Sequence, residues 1–164
     1  VPMGPHTLFP LSRRLRTMKV SDILRVKGNT LYTASPDEPL AGAVGLMAER
    51  DIGSLVVMAD GKMAGMLTFR EVLKGLDAKR GNLGELPVSE VMVRDPVTCT
   101  PEDTSETLRE VMTQQHVRYV PVMDGANLLG VISFHDIAKA AIKEASFENR
   151  LLKRYIKNWP EEGG

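Results

Sequence analysis

The chain reads GMLTFRE at residues 65–71 and GVISFHD at residues 130–136, so that Gly65 aligns with Gly130. The same interval, called the repeat interval below, sets SPDE at 35–38 over TPED at 100–103, and no gap is needed between the two motifs. Self-similarity at a fixed interval is the signature of a repeated structural unit. The chain is therefore an internal duplication.

The duplication sets the predicted domain boundaries. Further upstream, VSDIL at residues 20–24 matches VSEVM at 88–92, and this upstream interval is longer than the repeat interval because three residues are added or lost in between. Gly81 and Gly84 mark a linker between the copies. The predicted segments are a basic N-terminal arm at 1–17, copy one at 18–77, a linker at 78–86, copy two at 87–145, and a C-terminal helix and tail at 146–164.

Each copy is predicted to contain a helix after its SPDE or TPED motif. Ser35 and Thr100 have the side chains of N-caps, a proline follows each of them, and Glu38 and Asp103 complete a capping-box pattern. Apolar residues then recur at helical spacing. These residues are Leu40, Ala43, Val44 and Met47 in copy one, and Leu108, Val111 and Met112 in copy two.

Two apolar strands follow each helix. The predicted strands are 54–58 and 63–67 in copy one, and 119–123 and 128–132 in copy two. Asp-Gly pairs at 60–61 and 124–125 predict the hairpin turns. Each second strand runs into another helix. With an opening strand, this predicts an α/β (α+β) fold of two pseudo-twofold-related β-α-β-β-α repeats packed through their sheets.

The basic arm has two interpretations. It carries Arg13, Arg14 and Arg16 and no acidic residue. A targeting segment would place the protein in an organelle. We favour a disordered or non-native arm on a cytoplasmic protein, because the arm has no apolar secretory core and no long amphipathic pattern.

The C-terminal segment carries an apolar stripe at helical spacing. Its residues are Leu151, Leu152, Tyr155, Ile156 and Trp159. We expect this stripe to pack on its own domain, and the alternative is a partner or dimer interface.

Composition argues against several classes of function. Lys and Arg together number 21, as do Asp and Glu, so there is no positive surplus for nucleic-acid phosphates. No apolar run approaches the roughly 20 residues that span a bilayer. Cys99 is the one cysteine, and His6, His116 and His135 are not spaced as metal ligands. We therefore expect no enzyme activity, no nucleic-acid partner and no membrane partner.

The repeat resembles the tandem CBS (cystathionine-β-synthase-type) domain pair, or Bateman module, over about residues 18–143. The resemblance is carried by VSEVM at 88–92, VRYVPV at 117–122 and LGVISFHD at 129–136. Copy one departs from the pattern, with Val56 at the usual proline and Glu71 at the usual aspartate.

The resemblance implies an adenosine-containing ligand in clefts between the copies. Ser133 and Asp136 would hold phosphate and ribose in the first cleft. A helix N-terminus suits a phosphate, and a carboxylate can accept hydrogen bonds from both ribose hydroxyls. The walls would come from the other copy, with Thr30, Leu31 and Tyr32 near the adenine and Ile52, Gly53 and Ser54 beside it. Arg118, with His135 and Arg70 as weaker candidates, would reach the phosphates, although a surface salt bridge explains Arg118 equally well.

The pseudo-symmetric second cleft would use a matching set of residues. These are Thr68, Glu71, Val97, Val117 and Tyr119. We expect the first cleft to be the better site, because Gly53 and Ser54 leave room for a ring whereas Tyr119 crowds the second. Both Ser-x-x-Asp and Thr-x-x-Glu also have capping-box form, which any helix start can use.

Two functions remain open at this point. The first is a regulatory sensor of AMP, ADP, ATP or NAD, forming a homodimer and acting on an effector protein in trans. The alternative is a dimerisation or interaction module that has no ligand.

Overall fold

The predicted order of helix, strand, strand and helix is present in both copies, in a computed structural model that describes residues 18–28 and 30–157. Copy one has in addition a helix before its opening strand that the sequence analysis does not predict. Copy one contains α1 (Val20–Lys27), β1 (Thr33–Ala34), α2 (Leu40–Arg50), β2 (Ser54–Ala59), β3 (Lys62–Thr68) and α3 (Phe69–Ala78). Copy two contains a 3-10 helix (Val88–Glu90), α4 (Ser105–Gln115), β4 (Tyr119–Asp124), β5 (Asn127–Ser133) and α5 (Phe134–Lys157).

The two sheets are built on matching hairpins but differ in their opening strand. In copy one, β1 pairs parallel with β2, and β2 pairs antiparallel with β3. In copy two, β4 and β5 form the sheet, and the expected opening strand is a single parallel bridge between Cys99 and Val122. The strand register shifts once in each hairpin, between Val57 and Met58 in copy one and between Val122 and Met123 in copy two. These two positions are equivalent at the repeat interval. β3 and β5 contact each other across the interface between the copies.

The hairpin turns differ by one residue. Asp60 and Gly61 both have positive φ, 52° and 75°, as the predicted Asp-Gly turn requires. In copy two, Asp124 still belongs to β4, and the turn is formed by Gly125 and Ala126, with φ 59° at Gly125. The predicted turn at 124–125 is therefore wrong by one position, because Gly125 takes up the left-handed conformation as the first central residue.

The predicted helix caps at Ser35 and Thr100 are wrong. Each residue is instead the first residue of a turn. The backbone N–H of Ser35 donates to the Glu38 carboxylate at 3.1 Å, and the backbone N–H of Thr100 donates to the Asp103 carboxylate at 2.8 Å. α2 begins after Pro39, which lacks an N–H and disfavours helical backbone in the residue before it.

α4 also begins later than predicted. Its N-cap is Thr104, whose hydroxyl accepts a hydrogen bond from the backbone N–H of Thr107 at 3.1 Å. In both copies, a turn closed by a carboxylate, with the N-cap position four residues after Ser35 or Thr100, thus replaces the predicted capping box.

The segment before each copy crosses to the other copy. Backbone hydrogen bonds hold each crossing segment to the other copy. Each bond in one direction has a counterpart in the other direction, between residues that the upstream and repeat intervals relate. The pairs are Val20 N–H to Asp103 O (2.8 Å) with Val88 N–H to Glu38 O (3.0 Å), and Ser105 N–H to Met18 O (2.8 Å) with Leu40 N–H to Leu86 O (2.7 Å).

The crossing completes two separate hydrophobic cores. Val20 and Ile23 of α1 lie in the core of copy two, beside Leu108 and Ile132. Val88 and Met92 lie in the core of copy one. Neither copy encloses its core with its own residues, which agrees with the small core expected of a repeat of about 60 residues.

α5 is a single helix of 24 residues, so the boundary predicted at 145/146 falls inside it. Its buried residues are Ile137 and Ala140, near its start. The stripe beyond them is exposed, at Phe147, Leu151, Leu152, Tyr155 and Ile156. The expectation that it packs on its own domain is therefore wrong for these residues, because α5 extends past the cores. Trp159 lies outside the described residues.

No helix in the described ranges is both long enough and apolar enough to cross a membrane.

Candidate functional site

Two pseudo-symmetric clefts lie between the copies. Cleft one has a volume of about 300 Å³, and residues predicted from distant parts of the chain meet in it. They are Thr30, Leu31, Tyr32, Ile52, Gly53, Ser54 and Ser133. Leu24, Lys27 and Gly28, from α1 and its C-terminal end, also line this cleft.

Asp136 and Ser133 form the cap of α5 at the edge of cleft one. The backbone N–H of Ser133 donates to Asp136 Oδ2 at 2.9 Å, and the N–H of Asp136 donates to Ser133 Oγ at 3.1 Å. Lys27 Nζ also lies 2.6 Å from Asp136 Oδ2. The Asp136 carboxylate thus takes part in both the helix cap and the ion pair with Lys27. It does not line the cavity.

The surroundings of Asp136 keep it ionised. Burial alone would raise the pKa of this carboxyl, but hydrogen bonds from Lys27 and Ser133 and the charge of Lys27 together hold the pKa below its ordinary value of 3.8. A lowered folded-state pKa stabilises the fold above pH 3.8, and this contribution is lost as the pH falls through the folded value.

Tyr119 occupies the space that the sequence predicts two small residues to leave open. A Cβ added at Gly53 would overlap the Tyr119 hydroxyl and lie 2.8 Å from its Cζ. Tyr119 lines both clefts, so the expectation that it crowds the second cleft rather than the first is wrong.

Cleft two is the larger of the two, with a volume of about 590 Å³. Its predicted residues Thr68, Glu71, Val97, Val117 and Tyr119 all line it. Pockets for small ligands have volumes of about 300–1,000 Å³. Cleft one lies at the bottom of that range and cleft two well inside it. The expectation that cleft one is the better ligand site stays a prediction.

The sequence predicts Arg118 in cleft one, but it lines cleft two together with Arg70 and Lys74. The repeat interval explains this position. Arg118 is the counterpart of Gly53, so it must lie in the cleft opposite to that of Gly53. His135 lines neither cavity.

Glu71 caps α3 at the edge of cleft two. Its Oε2 accepts hydrogen bonds from the backbone N–H of Thr68, at 3.0 Å, and from the Thr68 hydroxyl. Its side chain is buried, with 6% of the residue exposed. The carboxylate is therefore turned back onto its own helix, as the capping interpretation predicts.

Three charged residues that line the clefts are not predicted by the sequence analysis. Asp95 and Lys74 line cleft two, and Lys27 lines cleft one. Asp95 could have been found, because the repeat interval makes it the counterpart of Thr30. Lys27 gave no such signal, because its place depends on the crossing of α1.

Within the described part of the chain, no three His, Cys, Asp or Glu side chains are grouped to hold a metal ion. Cys99 is buried, as expected of a small apolar side chain.

Comparison with known proteins identifies the family. A model of the CBS domain matches residues 20–78 and 88–143. The CBS domain-containing protein YhcV of Bacillus subtilis (strain 168) is 34% identical over 106 residues, which are 65% of this chain and 75% of YhcV. The CBS-domain containing protein ATU1752 from Agrobacterium tumefaciens has a crystal structure that matches with a TM-score of 0.71 at 35% identity, covering 77% of this chain and 94% of that one.

A third comparison shows the fold. The CBS domain pair of protein MJ0100, crystallised in complex with 5′-methylthioadenosine and S-adenosyl-L-methionine, matches with a TM-score of 0.65 at 22% identity, over 75% of this chain and 94% of that chain. CBS domain pairs are commonly regulatory, ligand-sensing modules and not catalytic ones. Because the family model matches both copies and the fold is that of a CBS pair, this chain belongs to the CBS domain family and is a tandem pair of CBS domains.

Proposed function

We propose that this chain is a regulatory module that binds an adenosine-containing nucleotide, such as AMP, ADP, ATP or NAD, between its two copies. The observation that carries the proposal is cleft two, a cavity of about 590 Å³ whose walls come from both copies. Thr68 and the N-terminus of α3 lie on one side, and Val97, Val117 and Tyr119 lie on the other. The fold of MJ0100, crystallised with two adenosine derivatives, supports this class of ligand.

The position of the cavity supports a signalling role. Its walls belong to copies with separate cores, so a ligand that contacts both favours one relative arrangement of the copies over others. Differential affinity for two arrangements is what allows a ligand to shift an equilibrium. The readout would pass to an effector protein in trans.

The expectations of a homodimer and of a cytoplasmic location stay predictions. The exposed apolar side chains of Leu151, Leu152 and Ile156 on α5 support association with a second copy. Apolar surface of this kind is typical of an interaction site.

A thermal-shift series tests the ligand class. The purified chain is heated with AMP, ADP, ATP, NAD or S-adenosylmethionine, and with ribose 5-phosphate as a control that lacks the base. A ligand present at a hundred times its dissociation constant stabilises the folded state by about 2.7 kcal/mol. We expect the midpoint to rise by several degrees with at least one adenosine ligand and to stay unchanged with the control.

If no adenosine ligand raises the midpoint, the proposal is wrong. The ligand-free interaction module would then be the better account of the chain.

A further inference from the structure

The two clefts differ in the charged side chains that line them. We propose that one nucleotide binds per chain, in cleft two, because Lys27 occupies the Asp136 carboxylate that a ribose would use beside cleft one. The inference rests on the proposed function and adds which cleft is used and which charge on the ligand is recognised.

Lys27, which lines cleft one, makes two contacts with copy two. Its Nζ donates to Asp136 Oδ2 at 2.6 Å and to the backbone carbonyl of Val131 at 2.8 Å. The same Oδ2 accepts the N–H of Ser133. A ribose approaching Asp136 must therefore compete with an ammonium group that is already bound, beside a cavity of about 300 Å³ that Tyr119 lines.

The pseudo-symmetric position in cleft two is built differently. There, the carbonyl of Met66, the counterpart of Val131, accepts a backbone hydrogen bond from Val93 at 2.8 Å. In copy two, the 3-10 helix ends at Glu90, and the backbone that follows forms a β-bridge with Met66. In copy one, α1 stays helical as far as Lys27. A lysine side chain in copy one thus replaces a main-chain contact in copy two.

The difference follows from the sequence between the upstream and downstream motifs. Copy one has three more residues here than copy two, and these residues allow α1 to continue to Lys27. At the upstream interval, which aligns Val20 with Val88, Lys27 aligns with Asp95, whereas the repeat interval aligns Asp95 with Thr30. Asp95 lines cleft two and cannot form the same ion pair with a carboxylate. Among the residues that the structure describes, cleft two therefore has no ion pair equivalent to that of Lys27 and Asp136.

The charges of cleft two favour a phosphorylated ligand. Arg70, Lys74 and Arg118 line it, against the acidic residues Glu71 and Asp95. Glu71 is committed to capping α3. Among the described residues, Lys74 and Arg118 have no ion-pair partner, and Arg70 donates to the carbonyl of His116. Arginine and lysine side chains of this kind are what a phosphate chain recognises.

Titration calorimetry with ATP tests the inference, because it reports both stoichiometry and affinity. We expect one ATP per wild-type chain, and two per chain in Lys27→Met, which keeps the apolar stem but removes the ammonium. Lys27→Arg keeps the charge and is expected to bind one. Arg118→Met combined with Lys74→Met is expected to weaken the wild-type site at least tenfold. Lys62→Met, at the exposed start of β3, is the matched control and is expected to bind as the wild type does.

The outcomes separate this inference from the proposed function. Two ATP molecules per wild-type chain, one per Lys27→Met chain, or unchanged affinity in the Arg118 and Lys74 double variant would each overturn the inference while leaving nucleotide binding intact. Circular dichroism of Lys27→Met checks that this variant is folded. Absence of ATP binding in every variant also overturns the inference, but the proposed function fails only if AMP, ADP, NAD and S-adenosylmethionine also leave the thermal midpoint unchanged.

Discussion

Cys99 shows how one residue takes its properties from its place in the repeat. It is the counterpart of Ala34, and both side chains are buried. Burial, with a smaller contribution from the charge of Asp103, raises the pKa of Cys99 from 9.0 to about 12. The thiol is therefore protonated and unreactive at neutral pH, because the thiolate is the nucleophilic form.

This raised pKa predicts a loss of stability in alkali. The unfolded thiol loses its proton above pH 9.0 while the folded thiol keeps it up to about pH 12, so unfolding becomes easier as the pH rises between these values. At about pH 10.5 the loss amounts to about 2 kcal/mol. Urea unfolding at about pH 8 and about pH 10.5 measures it. Cys99→Ala, which copies the residue of copy one, is the control and should lose less stability; equal losses in both proteins would contradict the pKa assignment.

The start of α4 shows how a cap is chosen at the scale of one element. Thr100 and Thr104 both precede the apolar helical pattern, but Thr104 alone of the two uses its hydroxyl to accept an N–H of the helix. At Thr100 the contact to Asp103 uses the backbone N–H. The side chain of Thr100 is therefore dispensable for this turn.

We expect Thr104→Ala to lower the free energy of unfolding by about 1 kcal/mol, the usual contribution of an N-cap. Thr100→Ala is the matched control and should change the free energy of unfolding by less than about 0.5 kcal/mol. Urea unfolding followed by circular dichroism measures both variants. A larger loss in Thr100→Ala than in Thr104→Ala would show that the helix begins where the sequence pattern predicts it.

The exchange of N-terminal segments predicts that the two copies unfold as one cooperative unit. Val20 is fully buried in the core of copy two, and Val88 is fully buried in the core of copy one. Each core depends on a segment attached to the other copy, so neither core can open without disturbing the other.

We expect Val20→Ala and Val88→Ala each to destabilise the whole chain by about 2 kcal/mol, through lost apolar burial and a small cavity. Both variants should unfold in a single transition with an unchanged dependence on denaturant. Guanidinium unfolding measured by circular dichroism tests this expectation. Two separate transitions, with one variant shifting only the first and the other only the second, would show that the copies are independent.

The repeat and its periodicity were enough to predict the helix, hairpin and helix of each copy, the apolar faces of α2 and α4, and the pseudo-twofold pairing, but not α1. These features depend on local pattern or on the fact that two copies of one sequence fold alike. The resemblance to the CBS domain pair, and not the repeat interval, predicted most of the residues that meet in each cleft. The repeat interval would have placed Arg118, since Gly53 is its counterpart.

Other features depend on contacts between residues that are far apart in the chain. Lys27 and Asp136 are separated by 109 residues, and their ion pair forms because α1 crosses to copy two. The Tyr119 ring fills the space beside Gly53 for a similar reason. Local pattern treats the two copies as equivalent, whereas three additional residues and a single tyrosine make their clefts unequal. Periodicity therefore predicts the repeated architecture, and long-range packing decides how its two clefts differ.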